Sequence, residues 1–328
     1  MINAFPQIQT VAGKEVRDAM RTYIIVAVAG FLLLAALVAL AVSGIALQAQ
    51  VAAYNEGRDQ LIALGQPVDN LPPPTFVPLA LLRGFVEQIE IIGAVLGIVL
   101  GYRTAAIERG RNTLALVMTR PLSQAAFLAG KIGGNMVLIA ISLALAFLAG
   151  ALGIIWVAGV SLSFDEWLRV FLSFLAATAY AGSFFLLGMF LAFHLTRLPH
   201  ALLYAFAIWL TLVLVAPQIG DTMDPDNQVA GGVFRKMGIA KAQEREILAT
   251  FSTYEYTRNA IEEMSPAKHF ERLTFALTGI KDTYTGMAIS SVLYEKQRDW
   301  LSLMGIFAAL SLLVFWLPIN FTRITKET

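Results

Sequence analysis

Six long apolar runs constrain this chain more than any other feature. They fall at about 23–46, 77–101, 132–157, 167–193, 201–218 and 300–321. At 1.5 Å per residue, each is long enough to cross about 30 Å of hydrocarbon as a helix. Lipid offers no water to backbone N–H and C=O groups, so a spanning segment must pair them internally. The runs lack the alternating pattern of a membrane β-barrel, which leaves α-helices. The rest of the chain agrees, with 57% hydrophobic and 14% charged residues among 328. A soluble globular fold does not accommodate that balance. The expected fold is an all-α polytopic membrane protein with six transmembrane helices.

Residues 1–22 are polar and carry Lys14, Glu15, Arg17, Asp18 and Arg21. The apolar run that follows is too long for a cleavable signal core. Val11, Val16 and Met20 recur at helical spacing, so an amphipathic helix on the membrane surface is expected. An ordinary basic flank that sets orientation accounts for the charges as well.

Counting charges on alternate sides gives the topology. With both termini in the cytosol, the inner segments hold eleven Lys and Arg, including Arg103, Arg109, Arg111, Arg120, Lys131 and Arg197, against four acids. That excess is the bias expected of cytosolic loops. It divides the chain into a surface helix (1–22), five spans (23–218) with a cytosolic segment at 103–131, an extracytoplasmic insert (219–299) and a last span with its tail (300–328). The absence of Cys excludes disulfide staples in the insert.

Two outer segments stand out. The stretch 48–74 ends in Leu-Pro-Pro-Pro, a stiff lead into the second span. The insert opens on turn-forming residues, after which 240–264 reads as one charged helix. Ser265-Pro266 then caps and starts another helix through about Leu277. The insert suits either a lid over a dimer or a surface for a partner outside the membrane.

Inside the spans, Gly93, Gly97 and Gly101 form a GxxxGxxxG ridge, and Gly130 with Gly134 repeats the spacing. Small residues let helix backbones approach closely where lipid supplies no hydrophobic drive. They fit packing within the chain or a subunit interface. Arg83, Glu87 and Glu90 sit in the outer part of the second span, where a charge at the bilayer centre would cost roughly 2.5–3.5 kcal/mol. They read as interfacial anchors or as an outer gate.

Catalytic patterns are missing. The histidines His194, His200 and His269 form no ligand pair, and there is no phosphate loop, nucleophile elbow or Cys nucleophile. No metal or cofactor is expected on this chain, so any nucleotide energy must come from another subunit. Segment 103–131 is the place to receive it. Leu114, Leu116 and Val117 lie beside Arg109, Arg111 and Arg120, a pattern suited to an apolar groove with an acidic rim.

The run 107–131, IERGRNTLALVMTRPLSQAAFLAGK, resembles the signature of ABC-2 type permeases, the membrane subunits of a class of ABC exporters. Glu108, Arg109, Gly110, Thr113, Leu114, Leu116, Arg120, Pro121, Ser123, Gly130 and Lys131 fit its places, and the AGKEVRD stretch at 12–18 is similar to the family's surface helix. The nearest subgroup includes the copper-processing NosY proteins. The resemblance implies two permease chains, each docking a cytosolic ATPase subunit that binds the ATP and Mg2+. Docking then falls to Glu108, Arg109, Arg111, Thr113, Leu114, Leu116, Val117 and Arg120. On that basis Glu108→Arg or Leu116→Asp is expected to abolish ATPase co-purification without disturbing insertion. A membrane scaffold that holds a partner on its outer insert is the competing class.

Overall fold

The computed structural model describes residues 4–66, 76–110, 122–225, 229 and 232–317. Among them there is no strand, and six helices are long and apolar enough to cross a membrane. The order is α1 (Ala4–Arg21), then spans α2 (Ile24–Ala63), α3 (Pro78–Arg109), α4 (Gln124–Ala158), α5 (Phe164–His194) and α6 (Leu198–Met223). The insert carries α7 (Lys241–Thr250), α8 (Ser252–Glu263), α9 (Pro266–Leu277) and α10 (Ile289–Glu295), and the last span is α11 (Gln297–Trp316). All six expected spans are present.

Several boundaries differ from the sequence reading. The first span continues to Ala63, 40 residues in all, which corresponds to about 60 Å of helix. Its polar end is rich in Ala and Gln, which favour helix, so the chain leaves the apolar zone without unwinding. The polar interruption is likewise shorter than it looked. Residues 103–110 extend α3, and α4 begins at Gln124 with Ser123 as its N-cap, accepting from the Ala126 N–H at 3.1 Å. The expected single helix over 240–264 is two, α7 and α8, broken at Phe251. The Ser265 cap and Pro266 start of α9 hold, with Ser265 Oγ accepting from the Lys268 N–H.

α3 and α5 form the centre of the bundle, and their contact is built from glycine. A Cβ on Gly97 would lie 2.4 Å from the Ala181 carbonyl oxygen, and one on Gly101 would lie 2.0 Å from that of Phe185. From the other side, a Cβ on Gly188 would lie 2.5 Å from the Ile98 oxygen. The ridge therefore packs inside the chain, because both helices need backbone-to-backbone approach. Gly93 does not share in it; its space is bounded by Ile89 of its own helix. Gly101→Ala should cost about 1–3 kcal/mol through forced helix separation. Its unfolding midpoint in detergent should fall below that of wild type, whereas Gly133→Ala, with nothing within 4 Å of the added Cβ, should leave it unchanged.

The insert is part of this core rather than a lid laid over it. Ten residues of α9 are buried, and the helix packs against α5, α11 and the start of α3. Phe270 stacks on Tyr180 of α5 at 4.9 Å between ring centroids. Two π-helical turns lie beside it, Ile89–Gly93 in α3 and Leu210–Val215 in α6. Wide turns disturb the backbone ladder, and hydroxyls from other elements supply donors. Tyr180 donates to the Glu90 carbonyl at 2.6 Å, and Ser265 to the Leu212 carbonyl at 2.5 Å.

Candidate functional site

At the end of the bundle opposite the insert, α1 lies against the start of α4. The inward stripe is Ile8, Val11, Ala12, Glu15 and Ala19, while Met20 is exposed, so the apolar face is rotated from the Val11–Val16–Met20 line read in the sequence. Gly130 and Gly134 determine that rotation. A Cβ on Gly130 would come within 2.5 Å of Val11 Cβ, and one on Gly134 within 2.9 Å of the Ala12 oxygen. Their function is to seat α1.

Seated there, α1 delivers charge to a buried cluster. Lys131 of α4 is 1% exposed and donates to Glu15 at 2.8 Å, with Glu108 at 3.0 Å on its other side. Lys14 donates to the same Glu108 oxygen at 2.9 Å. Asn135 adds a bond to Glu15 at 3.2 Å. Burial disfavours the Lys14 ammonium, but the Glu108 carboxylate outweighs it and raises the Lys14 pKa above its ordinary value. Two lysines and two carboxylates thus join three helices where removal from water makes each pair depend on the others.

Arg109, the next residue along α3, points to a different neighbour. It is 3% exposed, and its guanidinium donates to the carbonyls of Ala192 at 2.8 Å, Leu195 at 2.7 Å and Thr196 at 2.5 Å. Ala192 lies in the last turn of α5, whose carbonyls lack intrahelical partners, and Leu195 and Thr196 follow directly after the helix end. A planar fork of donors suits several acceptors at once, and its charge complements the negative helix end. Successive helical residues are about 100° apart, so α3 grips α1 and α4 with Glu108 and α5 with Arg109.

This revises the expected docking set. Glu108 and Arg109 are engaged within the chain and offer no surface to a partner, because burial here demands internal partners for both charges. Glu108→Arg would set a third cation beside Lys14 and Lys131, so it would disturb the fold itself. Arg111, Thr113, Leu114, Leu116, Val117 and Arg120 lie outside the described residues. The pairings of Lys14 with Glu108 and of Glu15 with Lys131 span 94 and 116 residues and left no local pattern to read.

At the insert end, Arg83 of the second span lines a polar chamber of about 890 Å3. Arg83 pairs with Glu87 at 2.8 Å, as their i,i+4 spacing implied, and lies over the Phe275 ring of α9 at 5.8 Å. Both are exposed, while Glu90 is half-buried. Across the chamber, Lys268 bonds Asp221 at 3.0 Å and Glu271 at 2.9 Å. Arg258 pairs with Glu255 at 2.8 Å and Asp224 at 3.6 Å, and Arg272 with Glu262. Among the described residues, no group of three or more His, Asp or Glu is arranged to hold a metal ion.

No curated protein matches the chain. The family model described as ABC-2 family transporter protein matches residues 9–323, from the surface helix to the end of the last apolar run. The chain therefore belongs to the ABC-2 transporter family, as a multi-pass permease subunit of an ABC transporter.

Proposed function

We propose that this permease serves an ATP-driven exporter, receiving the motion of a separate cytosolic ATPase through the segment centred on 111–121. The observation that supports this most is the divided grip of Glu108 and Arg109 at the start of that segment. A displacement applied to 111–121 reaches α1 and α4 through one side chain and α5 through the other, so three helices tilt together instead of one loop bending. The Lys and Arg excess supports placing α1, 111–121 and the 195–197 turn in the cytosol, with the insert outside.

In this reading two permease chains pair, each with one ATPase that holds the ATP and Mg2+, and kinship to the NosY-like permeases belongs to the same proposal. Arg83, Glu87 and Glu90 then stand at an outer gate, with Arg83 on the wall of the polar chamber. The competing reading is a scaffold or force-transmitting subunit that holds an outer partner. It draws on the exposed aromatic groups of the insert, Phe251 and Tyr256.

The test is co-purification with an ATPase subunit. Leu116→Asp is expected to reduce ATPase recovery at least tenfold, the equivalent of about 1.4 kcal/mol or more, with the same yield of folded permease in the membrane. Equal recovery from the variant and wild type would remove the docking assignment.

A further inference from the structure

Of the three histidines, His269 alone lies in a buried ion pair among the described residues. It sits on the first turns of α9 at 5% exposure, where the insert meets the last span. Its two ring nitrogens meet different elements. Nδ1 is 2.8 Å from a carboxylate oxygen of Asp299, in the first turn of α11. Nε2 is 3.0 Å from the carbonyl oxygen of Glu263, at the end of α8.

Both partners accept hydrogen bonds, and neither can donate while Asp299 is ionised. Two neighbours favour the ionised form. Lys296 Nζ lies 3.7 Å from the second Asp299 oxygen, and the free N–H groups that open α11 present positive charge. A neutral imidazole has one N–H, so it would leave one acceptor facing a bare nitrogen. Satisfying both acceptors takes the two N–H groups of the imidazolium.

The other charged groups around α9 are engaged elsewhere. Lys268 turns to Asp221 of α6 and to Glu271, Arg272 to Glu262 of α8, and the Glu263 side chain to Arg298. Arg83 of α3 lies over Phe275, and Arg169 of α5 holds the Leu277 and Met287 carbonyls. Glu295 of α10 accepts from Tyr284. The field at the ring is therefore set by Asp299 and Lys296.

We propose that His269 is a proton-operated clasp, which fastens the insert to the last span and opens as the compartment facing the insert turns alkaline. With both ring protons in place, one side chain ties the end of α8 and the start of α11 to α9. When the ring gives up a proton, the charged Asp299 keeps the remaining N–H, and the Glu263 carbonyl loses its donor. That carbonyl ends a helix and has no intrahelical partner, so α8 is the element released. The contribution is complete below about pH 6.5, where free histidine is charged. It is lost as pH rises through the point at which the bonded ring gives up its proton. The clasp does not depend on the ATPase reading.

Nitrogen NMR of the full chain, carrying isotopically labelled histidine in liposomes, reads the protonation of each ring. His194→Gln and His200→Gln assign the other two signals, so His269 itself stays intact. At about pH 6 both nitrogens of His269 should be protonated, and Asp299→Asn should move the loss of one proton to lower pH. SDS titration of the same protein should show the wild-type unfolding constant rising about tenfold between about pH 6 and about pH 8.5. Asp299→Asn should flatten that slope, because an amide can turn to accept from a protonated nitrogen or donate to a bare one. His194 and His200 are the same in both proteins, so the difference belongs to His269. A bare ring nitrogen on His269 at about pH 6, or an equal slope in Asp299→Asn, would overturn the proposal.

Discussion

Lys131→Met is expected to destabilise the permease by about 3–5 kcal/mol, the range for removing one partner of a buried ion pair. The lysine is the only ionic partner of Glu15 among the described residues, and it shares Glu108 with Lys14. Without it, two carboxylates face each other at a buried junction, and Asn135 alone remains for Glu15. Glu108→Gln should cost less, about 1–3 kcal/mol, since Lys131 keeps Glu15 and the half-exposed Lys14 can turn to water. The double variant Lys131→Met with Glu15→Gln should recover most of the loss, because Glu108 then retains Lys14. Unfolding of reconstituted protein by SDS titration measures all three. If Glu108→Gln proved as damaging as Lys131→Met, the lysine would not be the centre of the cluster.

Arg109→Lys is expected to separate ATP hydrolysis from transport. One ammonium cannot reach the carbonyls of Ala192, Leu195 and Thr196 together, so α5 loses part of its link to α3 while the charge stays. Losing two of the three bonds should cost about 1–3 kcal/mol, and Arg109→Met, which also removes the charge, should cost more. With the ATPase bound, Arg109→Lys should hydrolyse ATP at near the wild-type rate and move cargo about tenfold more slowly, the equivalent of about 1.4 kcal/mol. Paired hydrolysis and transport assays on one proteoliposome preparation provide the check. A parallel fall in both rates would mean that the arginine only holds the fold.

The spans were legible in the sequence because a lipid solvent leaves one choice, a long apolar helix with its backbone closed. The glycine ridge and the Ser265-Pro266 start were legible for the same kind of reason, since each is a local requirement. What could not be read was where charge goes when distant helices meet. Glu108 and Arg109 stood in a polar interruption and looked solvated, yet both are buried by α1, α4 and the end of α5. The face of α1 was misjudged for a related reason. Its apolar pattern allowed two rotations, and the notch made by Gly130 and Gly134, more than a hundred residues away, selected one.

The two wide turns beside α9 bear on how such a bundle could move. A π turn stores one residue beyond the α turn it replaces, so regularising it would re-index the helix past that point by about 100°. In α3 that would turn the half-buried Glu90 relative to the chamber, and in α6 it would turn the exposed Ile219. The α3 joint holds no proline and can rotate with its backbone groups paired, whereas in α6 Pro217 follows just after the turn and has no N–H to return to its carbonyls. The hydroxyls of Tyr180 and Ser265 are then latches, and the tightness of those two bonds sets how readily each helix swivels.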